Sequence, residues 1–249
     1  MAYGNSIVQA YDDARITAYD NAEIHAFNQV QAAAYDNACV VLKHNASCTY
    51  HNSSVGSGHN HSFLKGHDNT RLYLMEKSSA IVMDNASVHA FNDAEVYASG
   101  HVNINAFDRS IVMANNSVII NAKNDAIIIA EEKTKVRGRG NTLILSNGGT
   151  ECTLLENARE INQEQNKPEL VEKNVLDIMD HPGINHDPFK AVTILLKAIP
   201  LEEKERFSAE LKRLGCMDKD STKNYFQSLQ TRNNYFRSLR RETEPEWEM

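Results

Sequence analysis

The sequence predicts a mainly β protein with a helical part. We expect a two-sided parallel β-solenoid of about nine 16-residue coils, followed by a C-terminal helical domain. Three observations predict it: alanine recurs at every eighth residue over long stretches, a Val or Ile often stands two residues earlier, and Asp-Asn pairs interrupt the apolar pattern at the same interval. A short period that never changes phase over more than half of a chain is typical of stacked, nearly identical coils.

Each octad reads small–x–Val/Ile–x–Ala–Tyr/Phe–Asp–Asn, as in residues 22–29. Small or apolar residues fall at alternate positions, which is the period of a β-strand with one buried face. Asp and Asn tolerate left-handed backbone and can bond to nearby main chain, so they favour a tight corner. Each octad is therefore predicted to be a strand of about five residues followed by a turn.

The outward-facing positions predict how many octads make one coil. Successive outward pairs near the end of the repeat are Ile111/Met113, Ile119/Asn121, Ile127/Ile129, Lys135/Arg137 and Leu143/Leu145. Fully apolar pairs alternate with mixed or basic ones. Apolar pairs therefore stack on apolar pairs only if two octads form one coil with two opposed sheets. A three-octad coil would instead place Ile111 on Lys135.

The octads at 18–22 and 34–38 both read Ala-Tyr-Asp-Asn-Ala. They resemble the uncharacterised octapeptide-repeat β-solenoid proteins of gut Bacteroidales and their phages. The resemblance covers roughly residues 2–148 and implies the repeat architecture, but it brings no catalytic motif. A calcium-binding β-roll is disfavoured, because its Gly-rich nine-residue unit is absent.

After Gly149 helical spacing replaces the octad, so we predict a solenoid domain over 1–149 and a helical domain over 150–249. A first helix is indicated by Leu154, Leu155, Ala158 and Ile161. Later helices are predicted to open at Pro168, at Asp187-Pro188, where Asp would cap the first turn, and at Pro200. The last, over 221–241, contains a near-duplicate of Tyr-Phe-x-Ser-Leu.

Composition indicates a cytoplasmic protein. The net charge is −7, no apolar run approaches a membrane span, and the N-terminus lacks a secretion-signal pattern. The four cysteines have no paired spacing, so we expect free thiols in a reducing compartment and no membrane association.

An apolar outer face is the main functional clue. We define the outer patch as Ile111, Met113, Ile127, Ile129, Leu143 and Leu145. Left exposed, such a patch would be an association site. Two interpretations stay open: the C-terminal helices cover it, or it binds a partner. We expect a homodimer assembled through this end and a further protein partner, with aromatic contacts from Tyr225, Phe226, Tyr235 and Phe236.

Four basic residues alternate along one predicted strand, so all four side chains are expected to point the same way and form a basic strip, which is a candidate anion-binding site. They are Lys133, Lys135, Arg137 and Arg139. Acidic residues outnumber basic ones in both parts of the chain, which disfavours nucleic acid as a partner without excluding it. A solvated face, or pairing with the acidic tail at 242–248, is the alternative.

His51 and His67 would stack in a row that otherwise holds Tyr3, Tyr19, Tyr35 and Met83. They are candidate metal ligands, but zinc takes four ligands and this row supplies two, so a structural replacement is favoured. The nearby Val55-Gly56-Ser57-Gly58 predicts weak, Gly-rich coils rather than a nucleophile elbow.

No catalytic constellation and no cofactor motif stands out in the sequence, so we expect no enzymatic activity. The favoured function is a non-enzymatic binding or scaffold protein. The alternatives are a phage or mobile-element antagonist that blocks a host protein or defence complex, and a β-helix enzyme acting on polysaccharide. The last is weakest, because the repeat admits almost no long loops to build a cleft.

Overall fold

The computed structural model describes residues 1–162, 171–199 and 201–230. Residues 7–162 form a β-solenoid from two parallel ten-stranded sheets. Sheet 1 consists of β1 Ile7–Ala10, β3 Glu23–Ala26, β5 Cys39–Leu42, β7 Val55–Gly58, β9 Arg71–Leu74, β11 Ser87–Ala90, β13 Asn103–Ala106, β15 Ile119–Ala122, β17 Lys135–Gly138 and β19 Glu151–Leu154. Sheet 2 consists of β2 Arg15–Ala18, β4 Gln31–Ala34, β6 Ser47–Tyr50, β8 Phe63–Gly66, β10 Ser79–Val82, β12 Glu95–Ser99, β14 Ile111–Asn115, β16 Ile127–Ala130, β18 Leu143–Ser146 and β20 Arg159–Asn162.

The register confirms the two-octad coil. Residues sixteen apart pair throughout both sheets, as Ile111 does with Ile127 and Lys135 with Glu151. Consecutive strands therefore alternate between the sheets, and each sheet grows by one parallel strand per coil. The three-octad coil is excluded, because Lys135 lies in sheet 1 and Ile111 in sheet 2.

The predicted interior is also confirmed. In β5, Val40 and Leu42 are completely buried, whereas Cys39 and Val41 on the other face are half-buried. At most corners the first small residue that follows, such as Ala22 or Val30, also points inward and is buried, whereas Ala14 in the first coil is exposed. Three inward positions per octad thus fill a narrow apolar core.

The corners explain why Asp and Asn recur. The corner residue has a positive φ throughout, at sixteen non-glycine residues from Asp12 to Glu156 and at four glycines between Gly4 and Gly148. At many corners the exposed backbone N–H donates to the side chain sixteen residues later: Asp20 N–H to Asp36 Oδ2 at 3.2 Å, and His44 N–H to Asn60 Oδ1 at 3.1 Å. Each side chain thus accepts from the corner N–H of the preceding coil, whereas the sequence analysis expected it to bond to its own nearby main chain.

Within the described residues the solenoid has ten coils and reaches Asn162, beyond Gly149, so the predicted first helix is wrong. Leu154, Leu155, Ala158 and Ile161 have helical spacing, but they keep the octad phase and lie on β19, β20 and the corner between them. Glu156 forms that corner with φ of 60°. The chain divides into two compact units, Met1–Glu164 and Gln165–Met249, rather than at 149/150.

The second unit contains helices α1 Val171–Met179, α2 Pro188–Ala198 and α3 Leu201–Arg213, with a short 3-10 helix Pro182–Ile184 and a helix over 219–230. The predicted cap of α2 is confirmed, because Asp187 Oδ1 accepts hydrogen bonds from the N–H groups of Phe189 and Lys190. Residues 168 and 231–241 of the predicted helices lie outside the described part. Within the described ranges, the helices are too short or too polar to cross a bilayer.

Candidate interaction surface on the outer face of sheet 2

The structure brings the whole outer patch together on the outward side of three neighbouring strands of sheet 2. Ile111 pairs with Ile127 and Ile127 with Leu143 in one row, and Met113 pairs with Ile129 and Ile129 with Leu145 in a second. Adjacent members of a row are therefore about 4.8 Å apart, the ordinary strand spacing. The sequence predicted this arrangement correctly.

The outer patch is largely buried although it lies outside the solenoid core. Ile127 and Leu143 are 0% exposed, Leu145 is 1%, Ile129 3% and Ile111 8%. Met113 is half-buried. Coverage by the C-terminal helices and association with a partner both remain predictions.

The apolar face is longer than the sequence analysis recognised. The long apolar row follows the paired residues Ile81, Tyr97, Met113, Ile129, Leu145 and Ile161 across six consecutive strands of sheet 2. Ile81 and Tyr97 were missed because each shares its strand with a polar outward residue, Ser79 or Glu95, so neither strand reads as fully apolar. Ile161 was missed because it was assigned to a helix.

One end of the long apolar row is exposed. Ile81 is 38% exposed and Tyr97 40%, and Phe63 on the neighbouring strand β8 is 39% exposed. Ile81 pairs with Lys65 on one side and Tyr97 on the other. Since Lys65 and Glu95 also lie on this face, the surface around the exposed end is apolar with charges of both signs.

Of the four aromatic residues that the sequence analysis named, Tyr225 and Phe226 are described and lie in the helix over 219–230. Phe226 is completely buried and its ring meets that of Tyr225 edge-on, with centroids 5.2 Å apart. The Tyr225 hydroxyl donates a hydrogen bond to the Glu172 carboxylate on α1, which joins the two helices. Tyr235 and Phe236 lie outside the described residues, and a role for any of the four at an interface stays a prediction.

The basic strip is not one row of side chains. Lys135 and Arg137 point outward from β17, whereas Lys133 and Arg139 lie in the corners before and after that strand. Lys135 pairs with Glu151 at 3.0 Å, and Arg139 Nε with Glu156 Oε1 at 2.5 Å. The hydrogen bond from Arg139 lowers the pKa of the Glu156 carboxyl.

These ion pairs reduce the positive charge that the predicted anion site could offer. Two of its four cations already have carboxylate partners from the next coil, so their charge is locally neutralised. The acidic tail at 242–248, the partner considered from the sequence, lies outside the described residues. Anion binding by the strip stays a prediction.

His51 and His67 lie in a column of stacked rings. Tyr3, Tyr19, Tyr35, His51 and His67 follow one another with centroids 4.8–5.3 Å apart and nearly parallel planes. His67 Nδ1 lies 3.9 Å from Asp84 Oδ2. This is the geometry expected of an imidazole that replaces a tyrosine ring in the stack. Across the described residues, no three His, Cys, Asp or Glu side chains gather as metal ligands would.

A shallow depression lies at the opposite edge of the solenoid, where three neighbouring coils turn. Its lining consists of His44, Asn45, Asn60, His61, Glu76 and Lys77. The Glu76 carboxylate is occupied structurally, since it accepts hydrogen bonds from the backbone N–H and the side-chain amide of Asn60, at 2.7 and 2.6 Å. Glu76 therefore has the ordinary structural role of a corner residue.

Several other acidic side chains at the corners have the same structural role. Asp36, Asp68, Asp84 and Asp108 each accept the backbone N–H of the preceding corner, at 2.9–3.2 Å. A carboxylate committed to capping the main chain is not poised as a general acid or base.

No protein-family model, curated protein or solved structure matches this chain.

Proposed function

We propose that the protein is a non-enzymatic binding or scaffold protein whose solenoid presents one apolar face to a protein partner. The observation that carries the proposal is the long apolar row, which keeps apolar residues outward across six consecutive strands. Outward positions are otherwise mixed along the solenoid, and the exposed apolar side chains at one end of the row, Phe63, Ile81 and Tyr97, are of the kind that marks association sites.

The architecture supports a recognition role. The corners are capped and the interior is narrow and filled, so outward side chains are held at fixed spacing without loops that must order on binding. A preorganised surface loses less conformational entropy on association than a flexible one. Completing the burial of Phe63, Ile81 and Tyr97 would contribute on the order of 1 kcal/mol each.

The chemistry of the exposed end indicates what the partner offers. Phe63, Ile81 and Tyr97 form the apolar part, and Lys65 and Glu95 place one charge of each sign beside it. This combination fits a protein surface of mixed polarity better than the uniformly charged backbone of a nucleic acid. The partner and the predicted homodimer both use sheet 2 in this proposal, and the cytoplasm remains the predicted compartment.

The resemblance of the Ala-Tyr-Asp-Asn-Ala octads to repeat proteins of gut Bacteroidales and their phages supplies the biological setting that we propose. In that setting a stiff recognition surface suits a protein that binds a host or phage component.

The proposal is tested with a charged variant of the exposed end, Ile81→Glu with Tyr97→Glu. Its matched control is Ile119→Glu, since Ile119 is 46% exposed but lies on sheet 1. Oligomeric mass by light scattering and proteins retained from a host lysate by quantitative mass spectrometry are compared among wild type, variant and control.

We expect the wild type and the Ile119→Glu control to behave alike, and the double variant to lose the dimer or a specifically retained protein. Circular dichroism should show that all three are folded, because the substituted side chains lie outside the core. Equal mass and equal retained proteins in all three would contradict the proposal.

A further inference from the structure

The shallow depression at the edge of the solenoid contains three basic side chains that the corners do not use. Glu76 and Asn60 bond to each other and so serve the corners. The basic residues of the lining are His44, His61 and Lys77, and all three are exposed. Within the described part of the chain, their side chains have no hydrogen-bond or ion-pair partner. Their donors are therefore available to a ligand.

His44 departs from the role that its position has in other coils. Asp36 and Asn60 each accept the backbone N–H of the preceding corner residue. At Asn28, the corner before His44, that N–H has no side-chain acceptor among the described residues. His44 is also the only histidine with a positive φ in the described solenoid, at 61°. The imidazole at this corner thus replaces a structural hydrogen bond by a side chain with a free donor.

The backbone holds the three basic residues side by side on successive coils. His61 N–H donates to the His44 carbonyl and Lys77 N–H to the Asn60 carbonyl, both at 3.0 Å. His61 and Lys77 are sixteen residues apart, so they are neighbours in one column at the strand spacing of about 4.8 Å. The depression between them has a volume of about 420 Å³, which is enough for a small anion with part of its hydration.

Nearby carboxylates leave the positive charge of the depression uncompensated. Of the described residues that line it, Glu76 is the one acid, and its carboxylate accepts two hydrogen bonds from Asn60. Asp93 follows Lys77 in the same column, but Arg109 holds both of its oxygens at 2.8 Å. Neither carboxylate is therefore free to neutralise the Lys77 ammonium.

The flanking groups add to the positive side. Lys43 directly precedes His44, and its ammonium lies over the Phe27 ring, 5.5 Å from the centroid. His59 directly precedes Asn60 and is half-buried. The titratable groups at this edge are thus two lysines, three histidines and the one glutamate, so the edge becomes more positive as the pH falls.

We propose that His44, His61 and Lys77 bind the phosphate group of a small phosphorylated ligand. Charge-assisted hydrogen bonds from imidazolium and ammonium groups are strong ones for phosphate oxygens. A tetrahedral dianion offers oxygens in several directions, so it can accept from three side chains on three coils, whereas a planar carboxylate offers two oxygens. The site lies at the corners rather than on the outer face of sheet 2, so it does not depend on the proposed protein-binding role.

The experiment follows the imidazole signals of the full chain by nuclear magnetic resonance while inorganic phosphate replaces chloride at constant ionic strength. The variant is His61→Asn with Lys77→Gln. Its matched control is His101→Asn with Lys123→Gln, which makes the same substitutions at exposed positions of other coils. Sulfate is a second probe, because it stays a dianion between pH 8 and pH 6 and its pH dependence therefore reports the protein.

We expect phosphate to shift the His44 and His61 signals of wild type saturably, with the control binding equally well. The variant should bind phosphate at least about fivefold more weakly, measured at His44. Sulfate binding by wild type should strengthen about fivefold from pH 8 to pH 6, because histidine gains a proton in this range. Equal phosphate affinity in wild type and variant, equal weakening in variant and control, or sulfate binding that ignores pH overturns the proposal.

His44→Asn separates binding from stability. The amide restores an acceptor for the N–H of Asn28, as Asn60 does for His44, so the unfolding temperature should be no lower than that of wild type. Phosphate binding, measured at His61, should nevertheless weaken. Unchanged binding overturns the proposal, and so does a lower unfolding temperature, because His44 would then serve the fold rather than a ligand.

Discussion

The Gly-rich coils around residues 50–66 and the Ala-rich coils on either side fill the same cross-section in different ways. In the Ala-rich coils, small and branched residues face one another, as Val88 and Ala90 do across from Val96 and Ala98. In the Gly-rich coils, Tyr50 lies across the core, completely buried, and donates a hydrogen bond to the Val40 carbonyl at 3.0 Å.

The glycines provide the space that the large side chains need. A Cβ at Gly56 would lie 2.3 Å from the Tyr50 ring, and one at Gly58 would lie 2.3 Å from Leu64. The prediction of weak coils from Val55-Gly56-Ser57-Gly58 therefore overlooked that each glycine makes room for a large side chain of the opposite sheet. The comparison teaches that the repeat preserves the volume of each layer rather than the residue at each position.

The largest effect should come from charge inside an Ala-rich coil. We expect Ile104→Asp to abolish soluble folding, because an unpaired carboxylate would enter the apolar interior at several kcal/mol. Asn103→Lys changes the neighbouring outward residue and should be nearly silent. Soluble yield and circular dichroism measure both, and equal tolerance of the two would mean that the regular coils do not depend on a closed core.

A second prediction tests volume compensation in the Gly-rich coils. Gly56→Ala alone should cost about 1–3 kcal/mol in urea unfolding, because the added methyl displaces the Tyr50 ring. Combining it with Tyr50→Leu should cost clearly less than the two single changes added together, with a coupling of about 0.5–3 kcal/mol. Strictly additive costs would show that Tyr50 and Gly56 do not share one packing site.

Some of these features could be predicted from the sequence and others could not. The octad phase, the two sheets and the outer patch follow from periodicity, since alternation and stacking act at every position alike. The Tyr50–Gly56 pair has no such signal, because the two residues lie in opposite sheets and only three-dimensional packing brings them together. The last coil was missed because Glu160 and Asn162 violate the inward pattern that defines the repeat.

A third prediction tests a feature that both kinds of coil share. Asp36→Ala, in an Ala-rich coil, and Asn60→Ala, in a Gly-rich one, each remove the acceptor for the preceding corner N–H and place alanine at positive φ. We expect similar costs of about 1–2 kcal/mol in urea unfolding. Asp36→Asn should be nearly neutral, because an amide oxygen fills this role at Asn60. A cost at one site only would show that the corners differ between the coils.

The smallest expected effect is a difference in reactivity between two thiols, which is measured on the unsubstituted protein. Burial raises the pKa of Cys48 in the Gly-rich region, and burial with the Glu160 charge raises that of Cys152 to about 12, so both thiols stay protonated at neutral pH and alkylate slowly. In the native protein we expect Cys152, half-buried in the end coil, to react faster than Cys48. Mass spectrometry of time-resolved alkylation at pH 8 measures both, and faster labelling of Cys48 would show that the Gly-rich coils open locally.

The direction of the corner hydrogen bonds along the chain also affects when they can form during synthesis. Each capped corner N–H donates to a side-chain oxygen sixteen residues further along the chain. The N–H of Asp20 donates to Asp36, and the N–H of Asp36 donates to Asn52. On a ribosome, where the N-terminal coils emerge first, a newly made coil keeps open corners until its successor has been synthesised. Each coil thus gains these corner hydrogen bonds only from the coil translated after it, and we expect the coils to acquire them in the order of synthesis.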